Sequence, residues 1–186
     1  MREQAERFIV RIIPHLTELS KGNSHLTSNI KTLGELRETL KKGQRWMGLD
    51  LGSKTIGLSL SDVTLTVASP LETIRRTKFS TDVARLLELA AKHEIGGFVI
   101  GLPVNMDGTE GPAAQSARAF ARNLEKLSPI PATFWDERMS TAAVTRTLLD
   151  ADTSRARRAE VVDKMAAAYI LQGALERLRS IQAKAP

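Results

Sequence analysis

Four carboxylates lie within or directly after predicted strands and helices. Asp50 interrupts an apolar strand, Asp136 and Glu137 directly follow another strand, and Asp163 lies beside the apolar stripe of the last helix. Burying a carboxylate is costly unless it is hydrogen-bonded or bound to a cation. Each residue also has an ordinary interpretation: a capped hairpin turn for Asp50, a solvated turn for Asp136 and Glu137, and an exposed helix charge for Asp163.

Convergence of these carboxylates would create a site for hard cations. Mg²⁺ prefers oxygen ligands, and two ions about 3.5–4 Å apart can activate a water and stabilise the leaving oxygen in phosphodiester cleavage. Neighbouring strand residues point to opposite faces. Asp136 and Glu137 therefore cannot both enter one site unless the strand ends between them, and the sequence leaves that choice open.

The elements that must position these side chains follow from the hydrophobic pattern. Alternating apolar residues predict strands, and apolar residues at helical spacing predict helices, with Ser80 or Thr81 capping the first regular helix. This order predicts an α/β domain with a mixed sheet and helices on its faces. The predicted strands are 46–51, 55–61, 66–74, 97–100 and 131–136, and the predicted helices are about 81–93, 112–127, 140–150 and 157–179.

Composition limits the function class. The 186 residues suit one regular domain, which we place at 44–186 behind a partly helical, weakly attached arm of unknown function at 1–43. The chain has no cysteine, which excludes disulfides and thiolate metal sites. A net charge of +6 favours a polyanionic partner. No apolar run approaches the roughly 20 residues of a membrane span, so we expect a cytoplasmic protein without a membrane partner.

Four segments in order carry a family resemblance. They are 48–57 (GLDLGSKTIG), 101–108 (GLPVNMDG), 135–141 (WDERMST) and 163–168 (DKMAAA) with Ile170-Leu171-Gln172 after it. Across roughly residues 45–178 the chain resembles the YqgF family, also described as Holliday-junction-resolvase-like and as pre-16S rRNA nucleases. The family's usual Lys-Arg after the first motif's glycine is Lys54-Thr55 here, which removes one cation.

The resemblance implies a fold, a reaction and a set of residues. The fold would be ribonuclease H-like, with a mixed five-stranded sheet and helices on both faces, and the reaction metal-dependent phosphodiester hydrolysis. By position, Asp50, Glu137 and Asp163 would be catalytic and would hold Mg²⁺ or Mn²⁺, with Asp136 as the alternative metal ligand. The expected nucleic-acid contacts are Lys54, Asn105, Arg138, Arg155, Arg157 and Arg158.

Three functions remain open at this stage. The first is 5′ maturation of pre-16S rRNA, the second is resolution of Holliday junctions in branched DNA, and the third is nucleic-acid binding without catalysis. The expected partners are accordingly pre-rRNA or branched DNA, together with ribosomal precursor particles, and the protein would act as a monomer or a homodimer.

Overall fold

The computed structural model describes residues 29–139 and 155–184, with side chains in the second range described from residue 165 onward. The predicted helix at 140–150 lies outside the described residues. No helix in the described ranges is long and apolar enough to cross a membrane.

A five-stranded mixed sheet forms the centre of the domain. Its order is β3-β2-β1-β4-β5, with antiparallel pairing of β1 to β2 and β2 to β3, and parallel pairing of β1 to β4 and β4 to β5. The parallel strands therefore end at one edge, where ligands collect in open α/β sheets. The strands are β1 (Arg45–Leu51), β2 (Thr55–Ser61), β3 (Ala68–Arg75), β4 (Ile95–Leu102) and β5 (Ala132–Asp136).

Helices cover both faces of the sheet, so the α/β class and the mixed five-stranded sheet implied by the ribonuclease H-like resemblance are confirmed. One face packs Met47 and Leu49 against α2 and α3, and the other packs Val99 and Trp135 against α4. A 3-10 turn follows β5 at Glu137–Met139. The helices are α1 (Leu33–Glu38), α2 (Phe79–Lys92), α3 (Pro112–Glu125) and α4 (Arg155–Gln182).

The start of α2 differs from the sequence expectation. Its N-cap is Lys78, which makes no side-chain capping bond, while Ser80 and Thr81 lie inside the helix. The carboxylate of Asp82 in the first turn instead accepts hydrogen bonds from the backbone N–H of Thr77 at 3.0 and 3.2 Å and from its hydroxyl at 3.0 Å. An acid in the first turn thus fixes the residue before the N-cap, whereas a capping side chain would have accepted from an N–H group of the first turn.

Residues 29–43 pack onto the domain, although the sequence led us to expect loose attachment of the arm. Leu36 of α1 is fully buried and would lie only 3.0 Å from a Cβ placed on Gly97 of β4. Ile30 forms a parallel bridge to Ala132, and Lys31 N–H donates to the Ala132 carbonyl at 2.8 Å. A six-residue helix is too short to show a periodic stripe, so its burial left no signal in the sequence.

Candidate active site

Asp50 lies near the carboxyl end of β1, on the face covered by α4. Gly48, two residues earlier, has its missing Cβ position 2.8 Å from the Ala167 carbonyl oxygen and 2.8 Å from Leu171 Cβ, both in α4. Because side chains alternate along a strand, Asp50 shares this face. Its side chain is buried, with the residue 7% exposed. The parallel pairing of β1 and β4, extended by one residue, brings Asp50 level with Gly101.

Glu137 reaches the same part of the sheet from β5. An added Cβ on Gly101 would lie 2.6 Å from Glu137 Oε1 and 2.6 Å from Ile170 Cδ1 of α4. The Glu137 carboxylate therefore lies over the Gly101 backbone, against α4. Two of the three carboxylates predicted to be catalytic, Asp50 and Glu137, thus flank one glycine on one face, at the carboxyl ends of parallel strands.

Asp136 is engaged in a different interaction. Its carboxylate accepts from Arg138 Nε at 3.0 and 3.1 Å and from Nη2 at 2.6 Å, and also from the Arg138 backbone N–H at 3.0 Å. The hydrogen bonds from the Arg138 guanidinium lower the pKa of Asp136, with burial acting in the opposite direction. Strand β5 ends at Asp136 and the 3-10 turn begins at Glu137. The strand therefore ends between the two acids, and the sequence alone had left open which of them enters the site.

Asp163 lies within α4, four residues and so about one helical turn before Ala167. Its side chain is outside the described residues. The helix itself is held tightly on the sheet: Ser59 of β2, fully buried, donates from Oγ to the Ala167 carbonyl at 2.8 Å. The described side chains, which do not include that of Asp163, contain no cluster of three or more His, Cys, Asp or Glu that could hold a metal.

The predicted nucleic-acid contacts fall into three groups. Lys54 is exposed in the turn between β1 and β2. Asn105 is exposed in the loop after β4, where its carbonyl accepts from Arg138 Nη1 at 3.3 Å. Arg138 thereby joins this loop to Asp136, in addition to any role toward substrate. The remaining three lie in α4 with side chains outside the described residues: Arg155, Arg157 and Arg158.

Two residues that hold this region together were missed by the sequence analysis. Ser59 alternates with Leu58 and Leu60 in the pattern of a half-buried strand, but α4 covers the second face of this strand and buries Ser59. Arg118 of α3 pairs with Glu110, its Nε donating at 2.6 Å, and stacks over Phe134 at 4.9 Å from the ring centroid. Glu110 precedes the helix that contains Arg118, so no i,i+3 or i,i+4 spacing indicated the pair.

The donor set at this edge suits a hard divalent cation. Asp50 and Glu137 offer carboxylate oxygens, which are the ligands preferred by Mg²⁺ and Mn²⁺. Two neighbouring carboxylates also repel each other unless a cation or a proton intervenes. The residues present therefore fit a bound divalent metal.

Comparison with known proteins identifies a family and several named relatives. Residues 44–177 match the family model described as "RuvX: Holliday junction resolvase". A protein of Paramagnetospirillum magneticum named "Putative pre-16S rRNA nuclease" is 64% identical over 142 residues, covering 76% of this chain and 92% of the relative. One of the same name from Rhodobacter capsulatus is 66% identical over 131 residues, covering 70% and 82%. Among solved structures, T. thermophilus RuvC in complex with a Holliday junction substrate has a TM-score of 0.47 and 13% identity, covering 76% of this chain and 98% of that one.

Proposed function

The chain belongs to the RuvX family, and from this premise we propose that it is a metal-dependent nuclease that hydrolyses phosphodiester bonds in structured nucleic acid. The observation that carries the proposal is the position of two acids on the α4 face of the sheet: Glu137 Oε1 lies over Gly101, and Asp50 lies beside Gly101 in the neighbouring strand.

Three carboxylates would hold the metal in this proposal. They are Asp50 from β1, Glu137 from the turn after β5, and Asp163 from α4, with Mg²⁺ or Mn²⁺ as the ion. When bound, the metal supplies charge stabilisation at the phosphate and an activated water. Asp136 has a positioning role instead, because its ion pair with Arg138 holds the turn that carries Glu137.

The residues around the carboxylates keep them in place without touching the substrate. Ser59 and Gly48 fix α4 against β1 and β2, so the helix that contains Asp163 cannot slide along the sheet without breaking a buried hydrogen bond. Such support matters because catalytic groups must be held within about 0.5 Å of their working geometry. The surrounding arginines and Lys54 would bind phosphates and set the orientation of the substrate.

We propose the 5′ region of pre-16S rRNA as the substrate, because curated relatives at 64% and 66% identity carry that name. Its setting would be the cytoplasm, with ribosomal precursor particles as partners. A four-way DNA junction is the second candidate, since the matching family model is described as a Holliday junction resolvase. Both substrates are branched or folded polyanions, which suits a chain with a net charge of +6.

A side-by-side cleavage assay separates the candidates. The purified protein is offered a precursor rRNA fragment with its 5′ extension, a four-way DNA junction and linear duplexes of both, each with Mg²⁺, Mn²⁺ or EDTA. We expect cleavage of the precursor RNA with either ion and none in EDTA. Preferred cleavage of the junction would instead identify a resolvase. Tight binding of the RNA without cleavage in any metal would indicate a non-catalytic binding factor and refute the proposal.

A further inference from the structure

Exposed cations lie at the end of the sheet next to the carboxylates. Lys54 belongs to the turn between β1 and β2, Arg75 ends β3, and Lys78 precedes α2. All three residues are exposed. Their charged groups form no ion pair within the described part of the chain. We refer to Lys54, Arg75 and Lys78 as the edge cations.

The register of the sheet places Arg75 on the same face as Asp50. Asp50 pairs with Gly57, and Gly57 pairs with Thr73 of β3. Arg75 is two residues beyond Thr73, so its side chain leaves the sheet on the same side. With about 3.3 Å of rise per residue and about 4.8 Å between strands, the Cα atoms of Arg75 and Asp50 are about 12 Å apart. A nucleic-acid strand that crosses this distance passes only a few phosphates.

The backbone beneath the edge cations is held before any ligand binds. Arg76 donates from Nη1 to the Gly52 carbonyl at 2.8 Å, and its backbone N–H donates to the Lys54 carbonyl at 2.9 Å. Thr77 is held by the buried carboxylate of Asp82. Arg76 and Thr77 are thus hydrogen-bonded within the protein, while the flanking residues Arg75 and Lys78 are exposed to solvent. A surface fixed in this way loses little conformational entropy on binding.

We propose that the edge cations form a phosphate-binding surface that binds one strand of the nucleic acid within a few nucleotides of the carboxylate site. The proposal rests on the proposed nuclease function and adds to it the path of the substrate, which would run across the ends of β1, β2 and β3. When such cations neutralise phosphates, the nucleic acid releases its condensed counterions, and this release drives binding. Contacts of this kind position the strand and do not read its sequence.

A second basic surface at the opposite end of the sheet provides a matched control. Lys41 and Lys42 are exposed and line a cavity of about 610 Å³. Ile95, the first residue of β4, also lines this cavity. The variant Lys41→Gln/Lys42→Gln removes the same charge as Arg75→Gln/Lys78→Gln. The two variants therefore differ in place but not in net charge.

The test measures the affinity for a folded RNA of about 30 nucleotides between 50 and 300 mM salt, in EDTA so that no cleavage occurs. Loss of two phosphate contacts should reduce the slope of log K against log salt by about 1.4–1.8 and weaken binding roughly 10- to 30-fold near 0.15 M. Arg75→Lys should keep the parental slope. Thermal unfolding of each variant shows that the fold is intact, as expected for exposed positions.

Two results would overturn the proposal. One is a parental slope in Arg75→Gln/Lys78→Gln, and the other is an equal loss in the Lys41→Gln/Lys42→Gln control, which would show a response to net charge alone. Because binding is measured without cleavage, the outcome is independent of catalysis. A parent protein that cleaves nothing would refute the proposed function, while a slope change confined to the edge cations would still support the binding surface.

Discussion

Replacing Gly101 by alanine tests the position of Glu137 without removing any catalytic group. The added Cβ would be 2.6 Å from Glu137 Oε1 and 2.6 Å from Ile170 Cδ1, whereas ordinary contacts begin at 3.4 Å. The carboxylate oxygen must therefore move by about 0.8 Å. Both neighbouring atoms are the ends of flexible side chains, so the fold can absorb the change. Misplacement of a catalytic group by about 1 Å can cost about 100-fold in rate.

We expect Gly101→Ala to lower kcat by about 10- to 100-fold. Its free energy of unfolding should change by about 1 kcal/mol or less, since the overpacking cost is offset by the entropy gained on replacing glycine. Affinity for RNA in EDTA should be unchanged. The measurements are single-turnover cleavage, urea unfolding and RNA binding on the same preparation.

Two other glycines provide the comparison. At Gly48 the added Cβ would meet the Ala167 carbonyl oxygen at 2.8 Å, so α4 itself must shift. Gly48→Ala should therefore destabilise the fold by about 1–3 kcal/mol. Gly34 in α1 has nothing within 4 Å, and Gly34→Ala should leave the cleavage rate unchanged. Parental cleavage by Gly101→Ala would refute the reasoning, because it would show that catalysis does not need Glu137 Oε1 over this glycine.

Two further predictions concern parts of the fold away from the carboxylates. Leu36→Ala should lower the free energy of unfolding by about 2–5 kcal/mol because the side chain is fully buried; a loss below 0.5 kcal/mol in urea titration would mean that α1 is only loosely packed. Burial raises the pKa of Asp62, but hydrogen bonds from the Thr64 hydroxyl and from the backbone amides of Val67 and Thr66 outweigh it and lower the pKa to about 2. This stabilisation is present above the ordinary pKa of 3.8 and is lost as the pH falls toward 2. The stability difference between the parent and Asp62→Asn should therefore shrink over that range, and a difference independent of pH would contradict the assignment.

Local pattern was sufficient for most of the sheet. The apolar run at 97–100 and the alternation at 55–61 each predicted a strand that the structure contains, and the long last helix runs a few residues beyond its predicted ends at Arg155–Gln182. Such elements are set by residues close in sequence, through side-chain period and turn chemistry. The burial of Ser59 was not predictable in this way, because its partner Ala167 is 108 positions away.

The sequence also left open which of Asp136 and Glu137 enters the site. Both are acids at the end of one strand, and alternation alone says only that they point to opposite faces. What separates them is the hydrogen bonding of Arg138 to Asp136 and the space above Gly101 that admits Glu137. The hydrogen bonding of Arg138 to Asp136 is local, but side-chain alternation does not predict it, and the space above Gly101 depends on the neighbouring strand β4. The role of Glu137 as a metal ligand stays a prediction.

The most direct test compares three isosteric changes at the proposed site. Cleavage of the precursor RNA and Mn²⁺ binding are measured for Asp50→Asn, Glu137→Gln and Asp136→Asn, with folding checked by thermal unfolding. We predict that Asp50→Asn and Glu137→Gln reduce cleavage more than about 100-fold and weaken metal binding, since a supporting residue typically costs only 10- to 100-fold. Asp136→Asn should cause the smaller loss. Cleavage at the parental rate by Asp50→Asn in matched metal would contradict the account.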